Sequence, residues 1–379
     1  MSFLKRKFYS YYLQPRIDFP NRFDRREYAF ILFNEDTMRR HLSFSSKEDI
    51  ISYLKANVPA HVYYSSAYYR YPSAETMKEK EWMAADLIFD LDADHLPQAN
   101  KLSYEEALEE VKKELEKLLS FLTDDFGFNK NEIKIYFSGG RGYHCHINNE
   151  KVLDLGSQER REIVDYITAR GLEIRNIIVE RSISMGKFTD KTVEIYPGEG
   201  GWQGRMAREI INFFKQIKEM EKEKAINELI KIEGIGRKTA ESLYNALTEE
   251  RMKRIEKGML DQSTEFKKIA KPLVAKLAVA LHSEADEPVT ADVKRLIRLP
   301  GSLHGKTGLR VTRVNIDEIN EFNPLRDAVV FGDEMVKVDI IQPIEITMME
   351  NRFKLKKGII CIPEYLAVFL VARNLAKLP

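Results

Sequence analysis

Residues 89–95 read FDLDADH, with Asp90, Asp92 and Asp94 alternating with Leu91 and Ala93. On a strand, residues i and i+2 face the same side, about 7 Å apart along the chain. Carboxylates so close repel one another, so one takes up a proton or a cation neutralises them. Hard oxygen ligands on a rigid strand suit Mg²⁺ or Mn²⁺, the metals of phosphoryl-transfer chemistry. The bland alternative is a solvated strand end.

A second group lies in SGGRGYHCH, residues 138–146. Gly139, Gly140 and Gly142 let backbone approach a ligand. Arg141 offers a guanidinium fork, and Ser138 and His144 add donors. The spacing matches neither a Walker A loop nor a dinucleotide fingerprint. It reads as a phosphate cradle or as a plain glycine hairpin. A third group, RLPGSLHGKTGL at 298–309, holds His304 and Lys306 between glycines. It suits phosphate or forms a solvated turn. Glu284, Asp286, Glu287 and Asp292 supply acids in EADEPVTADVKR, and spacing alone does not choose among them. In IEGIGRKTAESLYNAL, residues 232–247, Gly234 and Gly236 precede Arg237 and Lys238. This has the look of a helix-hairpin-helix that meets DNA phosphate, or of a tight turn between helices.

These groups need elements to hold them. The run MAADLIF before Asp90 reads as a buried strand. Residues 103–127 form the clearest helix, with Ser103 and Glu106 as a capping box and Leu108, Val111, Leu115, Leu118 and Leu122 at helical spacing. EIKIYFSGGRGYHCHI (132–147) reads as strand, turn, strand, and 154–172 as a further helix. The β pattern gives way to helix formers at about 206–282 and resumes near 295. The tail from 350 reads as basic, then apolar and helical.

Composition sets outer limits. Over 379 residues, 60 Lys+Arg against 59 Asp+Glu leave a net charge of +1, so any nucleic-acid surface must be local. Two cysteines, Cys145 and Cys361, exclude a disulfide framework and a Cys-rich zinc site built by this chain alone. The N-terminus lacks a signal peptide's apolar core, and the longest apolar run, LAVFLVA at 366–372, is too short to span a bilayer. A cytoplasmic protein without membrane contact is expected.

DLIFDLD, SGGRGYH and RLPGSLHGKTG, in this order, resemble the catalytic small subunit of archaeal and eukaryotic DNA primase, archaeal versions above all. The resemblance extends to REYAF (26–30), VYYSSAYYRYP (62–72) and DEPVTADVKRLIRLPGSLH (286–304). It implies an α/β (α+β) fold: a mixed-sheet catalytic core related to the RNA-recognition fold, with an inserted helical subdomain. The expected boundaries are 1–205 and 283–350 for the core, 206–282 for the insertion and 351–379 for a C-terminal helical tail. The resemblance also implies residue roles. Asp90 and Asp92 match the paired metal-binding aspartates, and Asp286, eighteen residues ahead of His304, matches the third. Asp94 matches no catalytic position. Ser138, Arg141 and His144 match the triphosphate motif, and His304 matches a phosphate-contacting histidine, followed by Lys306. Arg40, in RRHLSF, falls where some relatives place a further arginine.

The implied activity is primer synthesis from nucleoside triphosphates on single-stranded DNA, with Mg²⁺ or Mn²⁺ and a large subunit carrying an iron–sulfur cluster. Many archaeal relatives carry a zinc-binding knuckle after the aspartates. Here LPQANKLSYEEA (96–107) has no cysteine, so no zinc site is expected. Two other readings stay open: a repair or end-joining polymerase of the same superfamily, and a non-catalytic DNA-binding protein using the 232–247 turn.

Overall fold

The structure, a computed structural model, describes residues 2–96, 101–185, 188–260 and 264–379. Residues 97–100, in the stretch where the zinc knuckle was sought, lie outside it. The fold is α+β, and the chain divides into two compact units. The first comprises residues 1–116, 128–164 and 284–379. The second comprises 117–127 and 165–283.

The first unit holds two four-stranded antiparallel sheets. In chain order their strands are β1 (Tyr28–Leu32), β2 (Arg39–Leu42), β3 (Pro59–Ser65), β4 (Leu87–Asp92), β5 (Ile133–Phe137), β6 (Gly142–Ile147), β7 (Leu296–Arg298) and β8 (Thr312–Val314). One sheet runs β7–β3–β1–β2, the other β8–β5–β6–β4. β7 and β8 come from beyond the second unit in sequence and add one edge strand to each sheet. The core of the first sheet takes Phe8 and Tyr12 from the helix Phe3–Tyr12, and Ile50 and Leu54 from the helix Lys47–Asn57. Ile88, from β4, joins the same cluster. The strand that carries the aspartates is therefore held by both sheets.

The helix Tyr104–Ser120 follows the expected periodicity. Leu108, Val111, Leu115 and Leu118 are all buried. Its capping box is present: the Ser103 amide donates to Glu106 Oε2 at 2.8 Å and the Glu106 amide to Ser103 Oγ at 3.2 Å. Each such cap is worth about 1 kcal/mol.

The second unit begins earlier than residue 206. It includes the hairpin Val179–Met185 and Phe188–Glu194 ahead of the helices Gly201–Glu219, Lys222–Ile230, Arg237–Ala246, Glu249–Glu256 and Thr264–Leu281. The cause is packing. The Trp202 indole N–H donates to the Tyr166 carbonyl at 2.6 Å, and Trp202 meets the Phe121 ring at 5.3 Å between centroids. Arg205 donates to Asp125 and Ser120. Segments before 206 are thus part of this unit's own core.

The expected helical tail is corrected too. Asn351–Leu355 pairs with Ile344–Met348, and Gly358–Pro363 pairs with Met335–Ile340. Only Glu364–Ala372 is helical, and it is buried almost all round. β-branched residues in GIICIP favour the extended form, and a partner strand takes up its backbone groups. Among the described residues no helix is long and apolar enough to cross a membrane.

Candidate active site

Asp90 and Asp92 stand at the end of β4, half-buried, after the buried run Leu87–Phe89. β6 lies beside them, with Asp90 opposite His144 and Asp92 opposite Gly142. That last pairing requires glycine. A Cβ at Gly142 would lie 2.3 Å from the Leu91 carbonyl oxygen and 3.2 Å from the Asp92 Cα. Any side chain there displaces the strand that carries the carboxylates.

Asp286 reaches the site through the backbone. Its N–H donates to the Asp90 carbonyl at 3.0 Å, and it sits at the N-cap of the short helix Glu287–Ala291. His95 Nδ1 lies 4.0 Å from Asp286 Oδ2. Burial, then the charges of Asp92 and Asp286, push the Asp90 carboxyl up to about 7, against the opposing pull of Arg295 and His95. A carboxyl whose proton affinity is raised by burial and by two neighbouring carboxylates belongs to a site that favours a cation. Among the described residues, no three His, Cys, Asp or Glu side chains are grouped closely enough to hold a metal ion as they stand.

Asp94 departs from the alternation. A 3₁₀ turn, Ala93–His95, starts directly after Asp92. The Asp94 amide caps onto Asp92 Oδ1 at 2.9 Å, while its carboxylate turns away to pair with the Arg141 guanidinium.

The glycine turn between β5 and β6 is closed by the Ser138 amide on the Gly142 carbonyl, 2.9 Å. Gly139 adopts φ +78°, where a Cβ would also lie 2.8 Å from the His304 Cβ. The Gly140 amide donates to Ser138 Oγ at 3.2 Å. The Tyr104 hydroxyl donates to the Gly140 carbonyl. His144 is buried on β6, its Nε2 3.5 Å from Asp90 Oδ1. Burial and then Arg298 and Arg295 push its pKa down to about 3, so it acts as a neutral ring.

The 298–309 segment folds against this turn. Thr307 Oγ1 donates to the Gly139 carbonyl at 2.5 Å. The Lys306 amide donates to His304 Nδ1 at 3.3 Å. A backbone N–H can only donate, so Nδ1 is the acceptor and the neutral ring carries its proton on Nε2. That nitrogen lies beside Gly140, 3.3 Å from where its Cβ would be. Lys306 is exposed at the mouth of the loop. Asp90, Asp92, Asp286, Ser138, Arg141, His144, His304 and Lys306 thus lie on connected elements of one unit.

Arg40 does not join them. Its Nε donates to Glu27 Oε1 at 3.0 Å and its Nη2 to Glu27 Oε2 at 3.4 Å. Glu27 is fully buried and also faces Lys80 at 3.5 Å. Among the described residues, none of the Arg40 hydrogen bonds reaches the carboxylates or the glycine turn. Its evident work is to neutralise Glu27. The 232–247 turn belongs to the second unit, where Gly234 (φ +77°) joins two helices and Arg237 pairs with Glu223 and Glu241.

Sequence reasoning missed His61, Arg298, Arg295 and Tyr104. Arg298 ends β7 opposite Tyr63, stacks over that ring at 5.0 Å, and bonds His61 Nδ1 at 2.8 Å. Burial depresses its pKa, while Tyr63, Asp90 and Asp92 pull it back up. A half-buried guanidinium that feels both carboxylates adds permanent positive charge beside the acidic group. The only hint in the sequence was its place at the start of RLPGSLHGKTGL.

Residues 89–316 match the family model for the DNA primase small subunit. The DNA primase small subunit PriS of Methanococcoides burtonii is 44% identical over 99% of this chain and 97% of its own length. That of Methanothrix thermoacetophila is 44% identical over 99% and 98%. That of Archaeoglobus fulgidus is 42% identical over 98% and 97%.

Proposed function

The chain belongs to the DNA primase small subunit family, and from that premise we propose that it makes short primers on single-stranded DNA by joining nucleoside triphosphates. The observation that carries this reading is the Asp286 amide on the Asp90 carbonyl, 3.0 Å. It joins a third carboxylate to the pair on β4, next to a turn rich in N–H donors. Acidic oxygens beside triphosphate ligands are what nucleotidyl transfer requires.

The donor set fits a hard divalent cation, since all three side chains offer oxygen and repel one another without one. Asp90, Asp92 and Asp286 would hold Mg²⁺ or Mn²⁺, which when bound neutralises charge on the transferring phosphate. The chain's own residues do the rest. Arg141, Lys306 and Arg298 supply permanent charge to the triphosphate. Ser138 and the His304 Nε2–H supply neutral hydrogen bonds, and His144 backs the Asp90 carboxylate. No side chain acts as nucleophile, because the attacking group is a hydroxyl of the first nucleotide or of the growing primer. The reading includes no zinc module.

A replicative setting goes with this activity: a cytoplasmic protein working with a large subunit that carries an iron–sulfur cluster, on a DNA template. The relation to the RNA-recognition fold draws support from the path strand, helix, strand, strand through β4, β5 and β6, with β6 between the other two. β8 departs from that fold by lying beside β5.

Incubation with unprimed single-stranded DNA, nucleotides and Mg²⁺ or Mn²⁺ tests the function. New short products support it. Products that form only when a primer is supplied favour a repair polymerase instead.

A further inference from the structure

We propose that His61 is a positioning residue that holds Arg298 and the His304 loop in register for the triphosphate. This rests on the nucleotidyl-transfer reading above and names a residue that the motifs do not contain.

The pleat of the first sheet sets up the contact. Arg298 pairs with Tyr63 across the β3–β7 ladder. His61 lies two residues back along β3, on the same face as Tyr63. Arg298 lies over the Tyr63 ring and extends Nη1 to His61 Nδ1, 2.8 Å. The Gly305 amide donates to the same nitrogen at 3.3 Å. A guanidinium and a backbone amide can only donate. His61 Nδ1 is therefore a double acceptor, and the ring is neutral with its proton on Nε2. Burial, then Arg298 and Lys306, push its pKa down to about 3, in agreement.

The loop fits closely. A Cβ on Gly305 would lie 2.8 Å from both the Ala60 carbonyl oxygen and His61 Nε2. The His61 and His304 rings meet edge to face at 5.1 Å. One nitrogen thus joins the guanidinium that feels Asp90 and Asp92 to the loop that carries His304 and Lys306. A histidine that merely filled the core would need no acceptor at Nδ1.

The identity of the accepting atom gives the test. Asparagine places its Oδ1 near the position of Nδ1, whereas glutamine reaches toward Nε2 and leaves Nδ1 unreplaced. Nucleotide KM, kcat and thermal midpoint are measured for H61N, H61Q, H61A and R298A. H61Q and H61A are expected to raise nucleotide KM about tenfold, the loss of one charged hydrogen bond. H61N is expected to recover most of that loss, while H61N and H61Q melt at similar temperatures. Equal KM for H61N and H61Q, whether normal or impaired, overturns the proposal. A normal KM in R298A overturns the assignment of Arg298 itself, and His61 with it. An impaired R298A beside a normal H61Q overturns only the role of His61.

Discussion

The main-chain N–H of Asp286 donates to the carbonyl of Asp90 at 3.0 Å, although residues 165–283 of the second unit lie between them in the sequence. The third carboxylate is therefore held by backbone, which side-chain substitution leaves in place. Asp286→Asn should keep the fold and raise the Mg²⁺ concentration for half-maximal activity by about ten- to a hundredfold. Metal titration of the variant checks this. An unchanged metal requirement removes Asp286 from the site.

Asp90 predicts a pH effect on the metal-free protein. Its folded pKa is raised to about 7 from the ordinary 3.8 of an aspartate. A raised folded pKa gives stability that is present below the unfolded value and lost as pH rises through the folded one. Metal-free wild type should lose stability between about pH 4 and pH 7. Asp90→Asn, with no charge to bury, should melt a few degrees higher than wild type at pH 8, with the gap closing toward pH 4. Thermal melts in chelator across that range test the sign. A wild type that melts higher than the variant at pH 8 contradicts it.

Gly142 should tolerate no side chain. Its Cβ would collide with the Leu91 carbonyl at 2.3 Å. Gly142→Ala should cost about 1–3 kcal/mol and lower kcat by moving Asp92. Gly127→Ala meets no neighbouring atom within 4 Å and serves as the control, although its φ of +72° carries some strain of its own. Equal activity in the two variants counts against the close approach.

Asp94 and Arg141 should pull nucleotide binding in opposite directions. Asp94 occupies the guanidinium that the triphosphate would use. Arg141→Ala should raise nucleotide KM about tenfold. Asp94→Asn should lower it by no more than about fivefold, because an exposed ion pair is weak. Steady-state kinetics with varied nucleotide separate the two. A rise in KM for Asp94→Asn would make Asp94 a ligand in its own right.

The local chemistry was open to reading in the sequence where it rested on local rules. The apolar run before Asp90, the Ser103–Glu106 cap and the glycine turn at 139–142 each depend on neighbours within a few residues. Periodicity alone treated Asp90, Asp92 and Asp94 as equals. The 3₁₀ turn at Ala93 separates them, and strand spacing carries no sign of where a strand stops. His61 and Arg298 were hidden for a different reason. Their contact depends on β7 pairing with β3, a register set by tertiary packing. The tail misled because a short apolar run such as GIICIP suits strand and helix alike until a partner strand is known. The limits of the second unit were hidden because Tyr166, Trp202 and Arg205 join it through contacts distant in sequence.

The central claim is that Asp90, Asp92 and Asp286 form the metal-dependent centre of primer synthesis. The most direct measurement is labelled-nucleotide incorporation on unprimed single-stranded DNA with Mg²⁺ or Mn²⁺, comparing wild type with the Asp90→Ala, Asp92→Ala double variant. Circular dichroism and melting of both proteins confirm that each is folded. The account predicts short products from wild type, none in chelator, and none from a folded double variant. Full-level synthesis by that variant would contradict it.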